Sequence, residues 1–221
     1  MSIEANVHDV SKRIAVAAER AGRSPHEIAI VAVTKGVEPR LIKLAVDAGI
    51  RHIGENRVQE AKGKSAHFSS LEPRPRWHMV GHLQVNKVKT ALEIFDIIHS
   101  IDSVRLAESL SKRAQDVLPV LLQANVSGEG TKSGFSPEEL PDTAQRITRL
   151  PNLDVQGLMT IAPVAADPEE VRPIFRRLRQ LRDELGLRHL SMGMSDDFEI
   201  AVEEGATLVR IGRAIFEESS R

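Results

Sequence analysis

Ile28-Ala29-Ile30-Val31-Ala32-Val33-Thr34-Lys35 sets the terms for the rest of the chain. Six apolar residues, rich in β-branched side chains, run into a threonine and a lysine. Such a run predicts a strand buried on both faces, as in a parallel sheet covered by helices. Two readings of Lys35 follow. It surfaces on its long stem and is solvated, or it does chemistry as an amine, holding a carbonyl compound as a Schiff base.

Working outward, the same strand-then-helix alternation recurs. The strand over 28–33 leads to a helix over 39–48, stopped by Gly49. Strands are expected over 51–54, 77–81, 95–99, 119–126, 154–159, 189–192 and 207–211. Helices follow over 56–64, up to 92, from an Asp102 cap up to 117, and behind Ser136-Pro137-Glu138-Glu139. The last of these starts carries a cap, a proline at the first helical position and an acid three residues on. Asp167-Pro168-Glu169-Glu170 repeats that logic ahead of a stripe of Val171, Ile174, Phe175, Leu178, Leu181 and Leu185, ended by Gly186. Ser195 is read as the cap of a short helix over 198–204, and a last helical piece starts at Gly212. Before all of this, Ile3, Val7, Val10, Ile14 and Ala17 share one face of an amphipathic helix.

Eight strand–helix units in order predict a parallel sheet and, with nothing left over, a single (β/α)8 TIM barrel with an extra N-terminal helix, filling residues 1–221 as one domain. A doubly wound open sheet is the structural rival. No linker or low-complexity segment divides the chain.

Composition narrows the function. The net charge of −1 gives no reason to expect nucleic acid or an anionic membrane as partner. The absence of cysteine excludes disulfides, thiolate metal sites and cysteine nucleophiles, and tyrosine is absent too. No apolar run approaches the roughly 18–20 residues a membrane helix needs. The polar N-terminus is unlike a signal peptide, so a cytoplasmic protein is expected.

A barrel of this type places its chemistry where strands end and helices begin. Two glycine-bearing loops stand there, Gly193-Met194-Ser195 and Gly212-Arg213-Ala214. Both suit a phosphate, cradled by backbone N–H groups, with Ser195 as a hydroxyl donor; glycines that merely turn the chain are the plain alternative. Asp196 and Asp197 would repel a phosphate unless they point away. Arg210 alternates with Val209 and Ile211, so it faces the barrel interior, where it serves a ligand or pairs with an acid such as Glu55. Other motifs fail. Gly63-Lys64-Ser65 lacks the earlier glycine of a nucleotide loop, and Gly128-Glu129-Gly130 lacks a third glycine. His78 and His82 span a strand end and do not make a zinc helix. Arg172, Arg176, Arg177, Arg179 and Arg182 are read as a solvated basic face.

Taken together, Val31-Ala32-Val33-Thr34-Lys35, Gly54-Glu55-Asn56, Trp77-His78, Gly81-His82-Leu83-Gln84, Lys132-Ser133-Gly134-Phe135, Gly157-Leu158-Met159-Thr160, Ser191-Met192-Gly193-Met194-Ser195 and Val209-Arg210-Ile211-Gly212 resemble the YggS/PROSC family of pyridoxal-phosphate homeostasis proteins. The resemblance runs in order over 28–216. It implies a barrel similar to the N-terminal domain of alanine racemase, with pyridoxal 5′-phosphate (PLP) as cofactor. PLP would be held as a Schiff base on Lys35. Its phosphate would lie against the Met194-Ser195 and Gly212-Arg213 loops, its pyridine nitrogen would face Arg210, and Asn56 would stand by the ring. The family carries or buffers vitamin B6 without an established catalytic activity. The chain departs from its pattern at Arg57, where tyrosine is usual, at Arg213, where serine or threonine is usual, and at Glu217, where glycine is usual.

An arginine facing the ring nitrogen favours the unprotonated nitrogen and a poorer electron sink. Racemase relatives add a tyrosine from a second domain, and this chain has no tyrosine. A non-enzymatic holder of the cofactor is therefore expected, with apo PLP-dependent enzymes as candidate recipients and a monomer as the expected state. The alternatives are a weak racemase-like enzyme or a class I aldolase using Lys35.

Overall fold

The computed structural model describes residues 2–128 and 133–217. Glu129 and Gly130 of the failed glycine motif, and Lys132 of the family motif, lie outside the described residues.

The strands are β1 (Ala29–Val33), β2 (His52–Glu55), β3 (Arg76–Met79), β4 (Ile97–Ile101), β5 (Leu118–Gln123), β6 (Leu153–Met159), β7 (His189–Ser191) and β8 (Leu208–Ile211). They close into one barrel in sequence order, and every neighbouring pair is parallel. Closure is made by β1 against β8, where Ala29 to Ala32 stand opposite Leu208 to Ile211. That pairing rules out the open doubly wound sheet, and the fold is a TIM barrel. The expected strands are all present, shifted at their ends by no more than three residues.

The helices are α1 (Ile3–Arg20), α2 (Pro39–Asp47), α3 (Val58–Ser65), α4 (Val88–Leu92), α5 (Val104–Ser111), α6 (Leu140–Thr148), α7 (Arg172–Glu184), α8 (Phe198–Glu203) and α9 (Arg213–Phe216). The additional α1 is capped by Ser2, whose Oγ accepts from the Ala5 N–H, and it buries Val7, Val10, Ile14 and Ala17. It packs on α2, α8 and α9. Buried Asn6 donates to the Ile215 carbonyl at 3.0 Å, tying α1 to the helix that follows β8.

Three caps differ from expectation. Ser103, not Asp102, caps α5, because Asp102 is engaged by His82 at 2.7 Å. Asp197, not Ser195, occupies the cap position of α8. The Ser136–Glu139 exchange of hydrogen bonds forms as expected, but its turn precedes α6 rather than opening it. The arginines of α7 are not simply a solvated face. Arg172, Arg176 and Arg179 converge on the buried Glu204 at 3.2, 3.1 and 3.3 Å, while Arg177 and Arg182 pair with Glu184 and Asp183 at the surface.

Alternation sorts each strand into two faces. Outward residues such as Ile53, Trp77, Ile98, Leu122, Leu190, Val209 and Ile211 join the apolar layer under the helices. A small second cluster of Val31, Val80, Leu121, Met159 and Leu208 is packed separately from that layer. Gly157 brings β6 close to β7, since a Cβ there would sit 2.1 Å from the His189 carbonyl oxygen.

Candidate functional site

Lys35 follows β1 by two residues, and the end of β1 is clamped. Buried Thr34 donates through Oγ1 to Glu55 Oε1 at 2.6 Å. Lys64 Nζ, reaching in from α3, donates to the Thr34 carbonyl at 2.6 Å and to Glu55 Oε1 at 2.7 Å. Glu55 is fully buried, so this ion pair is shielded from water. A charge taken out of water needs such a partner. Beyond Lys35 the chain turns at Gly36, whose φ of 71° favours glycine, and the Gly36 N–H donates to Glu60. Lys35 itself is exposed at the barrel mouth.

Two clefts meet at Lys35. One, of about 470 Å³, is lined by Lys35, Asn56, Arg57, Met79, Gly81 and His82, among others. Gly81 lets the loop after β3 pass close to Asn56, since a Cβ would stand 2.5 Å from the Asn56 carbonyl oxygen. The other, of about 680 Å³, includes Lys35, Gly36, Arg40, Gly212, Arg213 and Phe216.

The loops after β7 and β8 come together beside the second cleft. Ser195 Oγ accepts from the Ala214 N–H at 3.2 Å, across the two loops. The two aspartates are both occupied. Asp197, largely buried, accepts from the Met194 N–H at 2.6 Å, and burial raises its pKa. Asp196 pairs with Arg213 at the surface. The expected repulsion is thus reduced: one carboxylate closes its own turn and the other meets a guanidinium. Of the predicted site residues, Lys35 and Asn56 share one cleft, Lys35, Gly212 and Arg213 share the other, Ser195 is bonded to the loop after β8, and Met194 supplies a backbone N–H to its own turn. Arg57 is exposed, its guanidinium 4.0 Å from Glu60.

Arg210 stands opposite Val31 in the β1–β8 register. It is buried, and its donors go to neutral oxygens: Nη1 to the Ser191 carbonyl and hydroxyl, each at 2.7 Å, and Nη2 to the Thr160 carbonyl at 2.7 Å. The alternative pairing with Glu55 is not made, because Lys64 holds that carboxylate. Burial pushes the Arg210 pKa down to about 10, opposed by the charge of Asp197.

Sequence reasoning missed what lies behind Arg210. Ser191 Oγ is 2.8 Å from His99 Nδ1, His99 Nε2 is 2.8 Å from His78 Nδ1, and His78 Nε2 is 2.9 Å from His52 Nδ1. Burial is the main cause holding all three imidazoles below the ordinary histidine pKa. The available signal was a histidine inside each of three consecutive strands. Among the described residues no cluster of histidines and acids could hold a metal ion, and no helix is long and apolar enough to cross a membrane.

A family model described as alanine racemase, N-terminal domain, matches residues 6–220. A pyridoxal phosphate homeostasis protein of Aquifex aeolicus is 46% identical over 218 residues, covering 95% of each chain. The chain belongs to the pyridoxal phosphate homeostasis protein family. A second member of that family, from Pseudomonas aeruginosa, is 44% identical over 97% of this chain and 95% of its own. Among solved structures, PipY of Synechococcus elongatus with PLP bound superposes with a TM-score of 0.81 at 36% identity, covering 94% of this chain and 99% of PipY. These family members are named for homeostasis and not for a reaction.

Proposed function

We propose that this chain, acting as one unit, holds PLP at the barrel mouth and serves vitamin B6 homeostasis by carrying or buffering the cofactor. Lys35 would hold it through a Schiff base, Asn56 would stand by the ring, and Arg210 would face the pyridine nitrogen. The phosphate would lie against Met194, Ser195, Gly212 and Arg213. The observation that carries the reading is the Ser195–Ala214 hydrogen bond, which joins the two glycine loops beside the cleft shared by Lys35 and Gly212. There the Ser195 oxygen already accepts from Ala214, which leaves the serine hydroxyl proton to donate to an anion. Arg213 would add positive charge, although Asp196 competes for it.

When bound, PLP supplies a reactive aldehyde and, with a protonated ring nitrogen, an electron sink. The protein's contribution here favours retention. Arg210 can only donate, so it stabilises an unprotonated ring nitrogen. With no tyrosine in the chain, the racemase-type base is missing. Candidate recipients are apo PLP-dependent enzymes, and we propose a monomeric, cytoplasmic carrier.

Visible absorption after adding PLP tests this. Expected is a band that borohydride fixes and that Lys35→Ala abolishes; a band unchanged in Lys35→Ala would overturn the reading. A second reading, an enzyme, draws on one observation: His82, bonded to Asp102 Oδ2 at 2.7 Å, lines the same cleft as Lys35. A histidine oriented by a carboxylate can move protons. Amino-acid turnover well above background, lost in His82→Gln, would favour it.

A further inference from the structure

The line from His52 to Arg210 crosses the barrel interior, and the cofactor role as proposed uses only its last member. Its direction follows from elementary donor chemistry. A guanidinium donates and never accepts. Arg210 Nη1 therefore donates to Ser191 Oγ, at 2.7 Å. The Ser191 hydroxyl has one proton to place, and its other neighbour is His99 Nδ1 at 2.8 Å. Were His99 to donate instead, the serine proton would be left in a fully buried place without that acceptor. So Ser191 donates to His99 Nδ1. A neutral His99 then carries its proton on Nε2 and donates to His78 Nδ1. His78, likewise protonated on Nε2, donates to His52 Nδ1. The line ends at His52, half-buried at the start of β2.

Resting on the reading that Arg210 serves the cofactor ring, we propose that Ser191 and His99 are positioning residues for Arg210, and that His52, His78 and His99 form a neutral, one-directional hydrogen-bonded line that keeps the Ser191 oxygen free to accept from that arginine. Three of the five guanidinium N–H groups are spent on Ser191 and Thr160. Those three bonds fix the plane of the group, and with it the direction in which the other two N–H groups face a ligand. A proton added to the line makes a donor of an acceptor and breaks the sequence. The surroundings resist that proton. Arg76 faces His52 and His78, Arg210 and His189 face His99, and Arg188 and Arg182 flank His189. Asp96 near His52 and Asp154 near His189 are the opposing acids.

Nitrogen-15 NMR of the imidazole rings in the ligand-free protein, at a pH near 7.5, reads the line directly. Expected is the Nε2–H form for His52, His78 and His99, with mixed forms at His99 in Arg210→Met. The functional arm measures PLP affinity through the Lys35-dependent band. Ser191→Ala is expected to weaken binding about ten-fold, and Ser191→Thr, which restores a hydroxyl, is expected to recover most of it. Ser191→Ala retains the arginine itself and removes only the hydroxyl that orients it, so it decides the matter even if Arg210→Met does not fold. A charged or Nδ1–H His99 in the parent protein overturns the line. Unchanged PLP affinity in Ser191→Ala overturns the positioning role. Failure of the parent protein to bind PLP at all defeats the cofactor reading, and the positioning role with it, while the ring spectra still judge the line.

Discussion

The two faces of the barrel strands are built on different principles. Outward, Ile53, Trp77, Ile98 and Leu190 meet the helices in one apolar layer. Inward, the same strands contribute His52, His78, His99 and Ser191, each satisfied by a neighbour at hydrogen-bond distance. The outer layer gains from area removed from water, and any side chain of suitable shape can supply that. The inner line gains little net energy from each bond and loses much if one partner is wrong. Its value is specificity of orientation, and it ends on Arg210, which is buried and donates to neutral oxygens, with no carboxylate at bonding distance among the described residues.

The largest expected effect falls on the outer face. Trp77 is among the largest fully buried side chains and contacts Phe68, with ring centroids 6.0 Å apart. Trp77→Ala should destabilise by about 3–5 kcal/mol, read as a lower denaturant midpoint at every pH. A pH-dependent loss would blur the distinction between the faces.

The inner face should announce itself through pH. His52, His78 and His99 are held neutral when folded, below an unfolded value near 6.5. Above about pH 6.5 neither state is charged at these sites, so their full contribution is present. As pH falls below 6.5 the unfolded chain binds protons that the folded chain refuses, and stability drops by up to about 1.4 kcal/mol per pH unit for each such histidine. Denaturant midpoints at a pH near 8 and near 5.5 measure this. A flat profile would mean that the line accepts protons without cost. His99→Leu should remove part of the slope, which Trp77→Ala should not.

The smallest effect belongs to the surface. Arg213 and Asp196 pair while both stay more than half exposed. Arg213→Ala should change stability by less than about 1 kcal/mol. Under the proposed function it should weaken PLP binding modestly, in a manner that added salt masks. A stability loss as large as that of Trp77→Ala would show that this pair does more than sit at the rim.

The sequence was most readable where local physics acts alone. The β-branched run ending at Lys35, the Ser136–Glu139 exchange, the stripe of α7 and the alternation around Arg210 depend on neighbours in the chain, and each appears in the structure. Caps were less readable when a distant group competed. Asp102 went to His82, and Ser195 went to Ala214, because a partner brought in by the barrel outbid the local N–H. The same holds for the arginines of α7, which look like a solvated face until Glu204 is folded beneath them.

The order and number of strand–helix units, the lysine at the end of the first strand and the glycine loops after the last two were fixed by the chain itself, since hydrophobic period and turn chemistry are local. Tertiary structure alone decided that Lys64 and not Arg210 takes Glu55, that Lys35 stands exposed between two clefts, and that histidines from three strands join into one line. The reason is geometric. Closing the barrel sets the stagger of strands far apart in sequence, and a hydrogen bond tolerates errors of only a few tenths of an ångström.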